Sequence, residues 1–209
     1  PRVGIDTVQA EDMRYARQLG YHIRLLAVAE LIDGELELHV SPTLVREGTP
    51  LGEVRGAYNA VRVVGDAVGR VFFHGLGAGQ MPTASAVVAD IIDTAVGRAA
   101  ITFRTLRLWS NDGPHIGLRN PDMARSRFYL RFHVQDRPGV LAEIACILGR
   151  NQISIASVIQ HQTEEETEGV VPLVIMTHTA AEGPMRKAMA EIDRLPVVRP
   201  GSVWMRVRD

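Results

Sequence analysis

Several things are scarce in this chain of 209 residues. Cysteine occurs once, as Cys146, which excludes an internal disulfide and a cysteine-built metal centre and fits a reducing cytoplasm, the expected location. Lysine also occurs once, as Lys187, so almost all the basic charge is arginine. No apolar run approaches the roughly 18 residues of a membrane span, and the start shows neither a secretory signal nor an amphipathic transit segment. A dominant charge is missing too. Lys and Arg number 23 against 24 Asp and Glu, a formal net charge of −1, so nothing drives the chain as a whole toward nucleic acid or an anionic membrane. The first residue is Pro1 rather than Met, which reads as a cut inside a longer protein.

What is present suits a globular chain. Hydrophobic residues make up 46% and charged ones 22%, which rules out a mainly disordered, collagen-like or low-complexity protein. The length fits one large domain or two of about 100 residues each.

Thr7 is placed to cap a helix whose first turn carries Glu11 and Asp12, and Gly20 ends it. Ile23, Leu25, Ala27 and Ala29 alternate along a strand. Asp33-Gly34 signals a hairpin, and Glu35 to Val40 alternates strictly beyond it. Pro42, Gly48, Pro50, Gly52 and Gly56 mark a turn-rich stretch. Residues 59–64 and 70–74 read as strands around a turn at 65–69. After Gly75, Gly77 and Gly79 a helix is predicted over 82–98, with Ala84, Val87, Val88, Ile91, Ile92, Ala95 and Val96 forming one apolar stripe.

Residues 100–126 lose all period and read as a linker. Beyond them Phe128, Leu130, Phe132 and Val134 alternate in a strand, and Asp136-Arg137-Pro138-Gly139 turns into a helix through Val140, Ile144 and Leu148. Asp136 and Pro138 also fit simple helix capping. Ile153, Ile155 and Ile159 suggest a second strand, and Glu164, Glu165, Glu166 and Glu168 a solvated loop. A third strand covers 171–177, where Pro172 belongs at a start or edge. Met185, Met189 and Ile192 sit on a helix, and Val203, Met205 and Val207 alternate in a last strand. The order is βαββαβ, so the chain is α+β: a mixed sheet with flanking helices over 1–99, then a ferredoxin-like unit over 127–209.

Residues 128–149 (FYLRFHVQDRPGVLAEIACILG), with Asn151-Gln152-Ile153-Ser154-Ile155 and Gln160, resemble an ACT domain, a small-molecule regulatory module. That resemblance implies an amino-acid effector at the turn after the first strand, at an interface between two copies. It implies Asp136 as acceptor of the effector's ammonium, Gly139 and Val140 as N–H donors, and Asn151 from the neighbouring copy. Residues 4–98 resemble the later part of homoserine dehydrogenase, through Asp12-Met13-Arg14-Tyr15-Ala16, Leu19-Gly20-Tyr21, Ile23-Arg24-Leu25-Leu26-Ala27, Val40-Ser41-Pro42, Asn59-Ala60-Val61, Gly77-Ala78-Gly79 and Pro82-Thr83-Ala84. The resemblance implies a substrate and dimerisation portion of that enzyme, with threonine as the effector sensed by the second unit.

The departure from that family lies at the front. Its Gly-x-Gly-x-x-Gly fingerprint is absent: Gly75, Gly77 and Gly79 are followed by Gln80, with no acidic residue some 20 positions on in a βαβ context. The family's catalytic lysine lies upstream of the matching region, and Lys187 sits in the second unit, so no catalytic residue is assigned here. Gly77, Ala78 and Gly79 remain as the expected contact with NAD(P), the alternative being a tight turn that needs glycine for packing. The chain alone is expected to be inactive, and to form at least a dimer through its sheet and ACT pairing. The rival reading is a stand-alone amino-acid sensor, separated from the first by whether a nucleotide-binding motif precedes the chain.

The remaining residues read as structural. His22, His39, His74, His115, His133, His161 and His178 show no ligand spacing, so no metal is expected. Cys146 reads as a packing residue in mid-helix. Arg104, Arg107 and Trp109 are too sparse a set for nucleic-acid binding.

Overall fold

A computed structural model describes residues 1–107, 116–160 and 169–209. In chain order the elements begin with α1 (Ala10–Gln18), β1 (Tyr21–Ile32), β2 (Glu35–Arg46), β3 (Tyr58–Gly65) and β4 (Gly69–Leu76). Then come α2 (Gln80–Ala95), α3 (Arg98–Thr105), β5 (Arg125–Gln135), α4 (Val140–Arg150) and β6 (Ile155–Gln160). The chain closes with β7 (Val170–Thr177), β8 (Ala180–Ala181), α5 (Glu182–Ile192) and β9 (Val203–Arg208). They fall into two compact units, Pro1–Gly52 with Ile116–Asp209, and Glu53–His115.

In the first unit one sheet runs β1-β2-β9-β5-β7-β6, with β8 against β5. Its β9-β5-β7-β6 part with α4 and α5 is the ferredoxin-like arrangement, and the chain is α+β as the sequence pattern requires. Alternation along β5 assigns the faces. Phe128, Leu130, Phe132 and Val134 pack with Ile144 and Leu148 of α4 and Met185 and Ile192 of α5. Pro172 lies near the start of β7, one residue beyond its last pair with β6 at Gln160↔Leu173. The acidic run 164–168 lies outside the described residues.

The other face of this sheet is also covered. Tyr15 and Ala16 of α1 form a second buried cluster with Leu44, Tyr129, Val174 and Met205. The cap of α1 is Gln9, two residues later than the expected Thr7, because the Asp12 carboxylate accepts the Gln9 N–H at 2.8 Å and fixes the helix start there. Gly20, at φ +81°, ends the helix as expected. β1 and β2 then form a hairpin in which Asp33 and Gly34 both have positive φ, 53° and 81°, the condition for a type I′ turn. β2 runs six residues further than the alternation suggests, through Ser41 and Pro42, and joins β9 in parallel from Thr43↔Arg206 to Val45↔Arg208.

In the second unit β3 and β4 pair from Tyr58↔Leu76 to Gly65↔Gly69, at the predicted turn. The predicted 82–98 helix differs at both ends. It starts at Gln80, so Pro82 lies within the first turn, and Gly97 at φ +76° breaks it. A separate helix, α3, follows where the loss of period suggested a linker from 100 onward. No described residue between 53 and 107 is buried.

Candidate functional site

The turn before α4 is built by backbone geometry. Gly139 holds φ +95° at the helix N-cap, a conformation that favours glycine, and no side chain caps the helix there. Val140 is buried and anchors the first turn, whereas Asp136, Arg137, Pro138 and Gly139 are exposed. The Asp136 N–H donates to the Gly169 carbonyl at 2.8 Å. Its carboxylate does not cap α4, so the capping explanation for Asp136 fails: Gly139 occupies that position, with Pro138 outside the helix. The result is an exposed helix N-terminus beside a carboxylate, an arrangement that suits the two ends of an amino acid.

Asn151 stands at the opposite end of α4, where its Nδ2 donates to the Ile147 carbonyl at 3.0 Å. The 11-residue helix spans about 16 Å, so one chain does not bring Asn151 to Asp136, Gly139 and Val140. Cys146 of α4 is exposed rather than packed, because its position faces away from the sheet that buries Ile144, Ile147 and Leu148.

In the second unit the glycine loop joins β4 to α2. A Cβ on Gly77 would lie 1.7 Å from Nδ2 of Asn59, and the Gly77 N–H donates to the Ala57 carbonyl at 3.3 Å. Close packing against β3 therefore accounts for this glycine. Gly79 is different: it holds φ +130° at the N-cap of α2, and nothing in the helix's first turn is acidic. Ala78 and Gly79 are exposed beside an uncapped helix start. That backbone fits contact with a nucleotide, as a wall rather than a grip, since the phosphate fingerprint is absent from the sequence.

A buried polar cluster forms where α1 meets β5. Asp12, fully buried in α1, accepts from Arg131 Nε at 2.6 Å and Nη2 at 3.2 Å and from the Tyr129 hydroxyl at 2.9 Å. Burial, then the Asp12 charge, pushes the Tyr129 hydroxyl far above its ordinary range. Arg131 Nη1 also meets Glu11 Oε1 at 2.8 Å and His133 Nδ1 at 3.2 Å, while His133 Nε2 lies 3.0 Å from Glu11 Oε1. The alternation along β5 puts Tyr129, Arg131 and His133 on one face, but α1 in front of that face has no local signature.

His39 of β2 is also buried, with neither ring nitrogen hydrogen-bonded among the described residues and Glu37 Oε1 3.9 Å away. Burial, then Arg206 and Arg208, lowers its pKa to about 4. Among the described residues there is no group of three or more metal-ligating side chains, and no helix is long and apolar enough to cross a membrane. His115, His161 and Trp109 lie outside those residues.

Comparison with known proteins agrees with both halves. The homoserine dehydrogenase family model matches residues 1–92 and the ACT domain model matches residues 128–197. The homoserine dehydrogenase of Pseudomonas aeruginosa is 39% identical over 94% of this chain and 47% of its own length, and that of Synechocystis is 40% identical over 94% and 46%. A crystal structure of a homoserine dehydrogenase from Thiobacillus denitrificans superposes with a TM-score of 0.79 at 36% identity, covering 99% of this chain and 47% of that one. The chain spans about half the length of the curated relatives it matches. With its first 92 residues matched to one family and residues 128–197 to the other, this chain is similar along its length to about half of a homoserine dehydrogenase, with an ACT domain matched in its later part.

Proposed function

We propose that this chain serves as the C-terminal part of a homoserine dehydrogenase, the enzyme that interconverts L-homoserine and aspartate 4-semialdehyde with a nicotinamide cofactor on the route to threonine and methionine. The match to the Thiobacillus denitrificans enzyme along nearly the whole chain carries this reading. Residues 1–99 supply the substrate and dimerisation portion, 100–126 the connection and 127–209 the sensor. The exposed apolar residues of β3, β4 and α2, among them Val61, Phe73, Val88 and Ile91, support a role in subunit contacts.

NAD(P), when bound, supplies the hydride. Ala78 and Gly79 would lie along its pocket wall, and Gly77 holds that wall to β3. The turn at Asp136, Gly139 and Val140 takes the amino-acid effector, threonine, with Asn151 entering from a second copy. Binding there shifts the population toward a less active arrangement of a cytoplasmic homo-oligomer. No nucleic acid, membrane or metal takes part.

Two measurements test the reading. The purified chain alone, given NADPH and aspartate semialdehyde, is expected to show no turnover; measurable turnover contradicts it. Threonine at millimolar concentration is expected to raise the melting temperature, and Gly139→Val to abolish that rise by forcing a β-branched residue to φ +95°. An unchanged melting temperature with threonine removes the effector assignment.

A further inference from the structure

The first unit contains a cavity of about 140 Å³ apart from the glycine loop and from the turn before α4. Its origin lies in one residue of β2. There the even-numbered backbone groups face away from β1: Leu36 donates to Gly117, and Val40 donates to Pro1 and accepts from Val3. Pro42 continues that series with no N–H to give. β2 and β9 pair only from Thr43↔Arg206 onward, so the two strands part ahead of that point. Pro1 and Val3, held against Val40, bound the wedge that is left.

The lining is chemically uneven. Val40, Pro42 and Trp204 offer apolar surface. Ser41 and Ser202 line the cavity as well, and neither buried hydroxyl has a hydrogen-bond partner among the described residues. Ser41 is only 8% exposed, so water does not readily compensate for the missing bond, and a lost bond of this kind is costly. Beside them Arg206 is paired with Glu182, both buried. The second Glu182 oxygen is taken by Arg186 at 3.0 Å, which also pairs with Asp122 at 2.6 Å, so the charges at this wall balance. A guanidinium carries five N–H donors, which leaves Arg206 with more than Glu182 uses. The field of Arg206 and Arg208 is felt at His39, two residues from Ser41 on the same face of β2, where it opposes protonation. Two unpaired hydroxyls and a guanidinium with donors to spare suit a ligand group that accepts several hydrogen bonds; the apolar wall calls for a short hydrocarbon part.

We propose that the wedge between β2 and β9 binds a small organic carboxylate, whose oxygens accept hydrogen bonds from Ser41, Ser202 and Arg206 while its short tail lies on Val40, Pro42 and Trp204. A cavity of roughly 150 Å³ takes up a molecule the size of benzene, so an acid of about three to five carbons fits. The site is independent of the effector turn and of the glycine loop.

Trp204 reports on it directly. In the chain carrying Trp109→Phe, Trp204 is the sole tryptophan. Butyrate is expected to shift its emission with a saturating curve in the millimolar range, and inorganic phosphate or glycerol at equal concentration to leave it unchanged. Ser41→Ala is expected to weaken the butyrate midpoint at least tenfold while raising the melting temperature of the ligand-free chain, because an unpaired buried hydroxyl is gone. Ser202→Ala gives a second variant with the same expected loss. The assignment is overturned if butyrate leaves Trp204 unchanged, if phosphate reproduces the shift, or if both serine variants keep the parental midpoint.

Discussion

Helices α4 and α2 carry similar apolar stripes and meet opposite fates. α4 buries Val140, Ile144, Ile147 and Leu148 against β5 and β7, whereas α2 buries nothing, with Val87 and Ile91 exposed at 53% and 61%. An amphipathic stripe states which side of a helix wants covering, and says nothing of whether the same chain provides the cover. The first unit closes its own core on both faces of a sheet. The second presents an apolar hairpin and helix, the kind of surface that marks an interaction site.

The largest expected effect is at the ion pair beneath α1. Asp12→Ala leaves the fully buried Arg131 guanidinium without its main partner, at a cost of about 3–5 kcal/mol. Urea unfolding followed by tryptophan fluorescence measures it, and a loss below about 1 kcal/mol would remove α1 from the stabilising core.

Paired truncations sharpen the contrast between the helices. Ile144→Ala is expected to cost about 2–5 kcal/mol through the cavity it leaves. Ile91→Ala, in the exposed stripe, should fall within about 0.5 kcal/mol of the parent. Equal losses would mean that α2 is packed as firmly as α4.

His39 gives the first unit a pH dependence. Its pKa is held at about 4 by burial and by Arg206 and Arg208, against roughly 6.5 in an unfolded chain. As pH falls from about 6.5 toward 4 the unfolded state takes up a proton that the folded state refuses. Stability is therefore full above about 6.5 and declines below it, with a slope on the order of 1 kcal/mol per unit. His39→Leu should flatten the decline between pH 7 and 5 in urea titrations. A small effect is expected at the surface pair Arg150–Glu191 on α4 and α5, where Glu191→Ala costs about 0.2–1 kcal/mol, falling toward zero at high salt.

Much of this fold was legible locally. The period-two runs at Phe128–Val134 and Val203–Val207, the Asp33-Gly34 turn and the stripe of α5 all became the elements they suggested, with ends off by up to three residues. Long-range pairings leave no such period. The parallel join of β2 to β9, and the placement of α1 over Tyr129 and Arg131, bring together residues more than 100 positions apart, and Arg131 is wholly buried as a result. Pro42 reads as a turn residue yet continues β2, at the place where β9 has not yet paired and its missing N–H goes unneeded. At the candidate sites glycine spacing located Gly79 and Gly139, both at positive φ on helix N-caps. The capping role expected of Asp136 failed because Gly139 itself occupies the cap.

Hydrogen exchange read by mass spectrometry along the intact chain compares the two units in one sample. Strands β5, β7 and β9 are expected to exchange only through global unfolding while α2 exchanges orders of magnitude faster. Protection of α2 equal to that of β5 would contradict it.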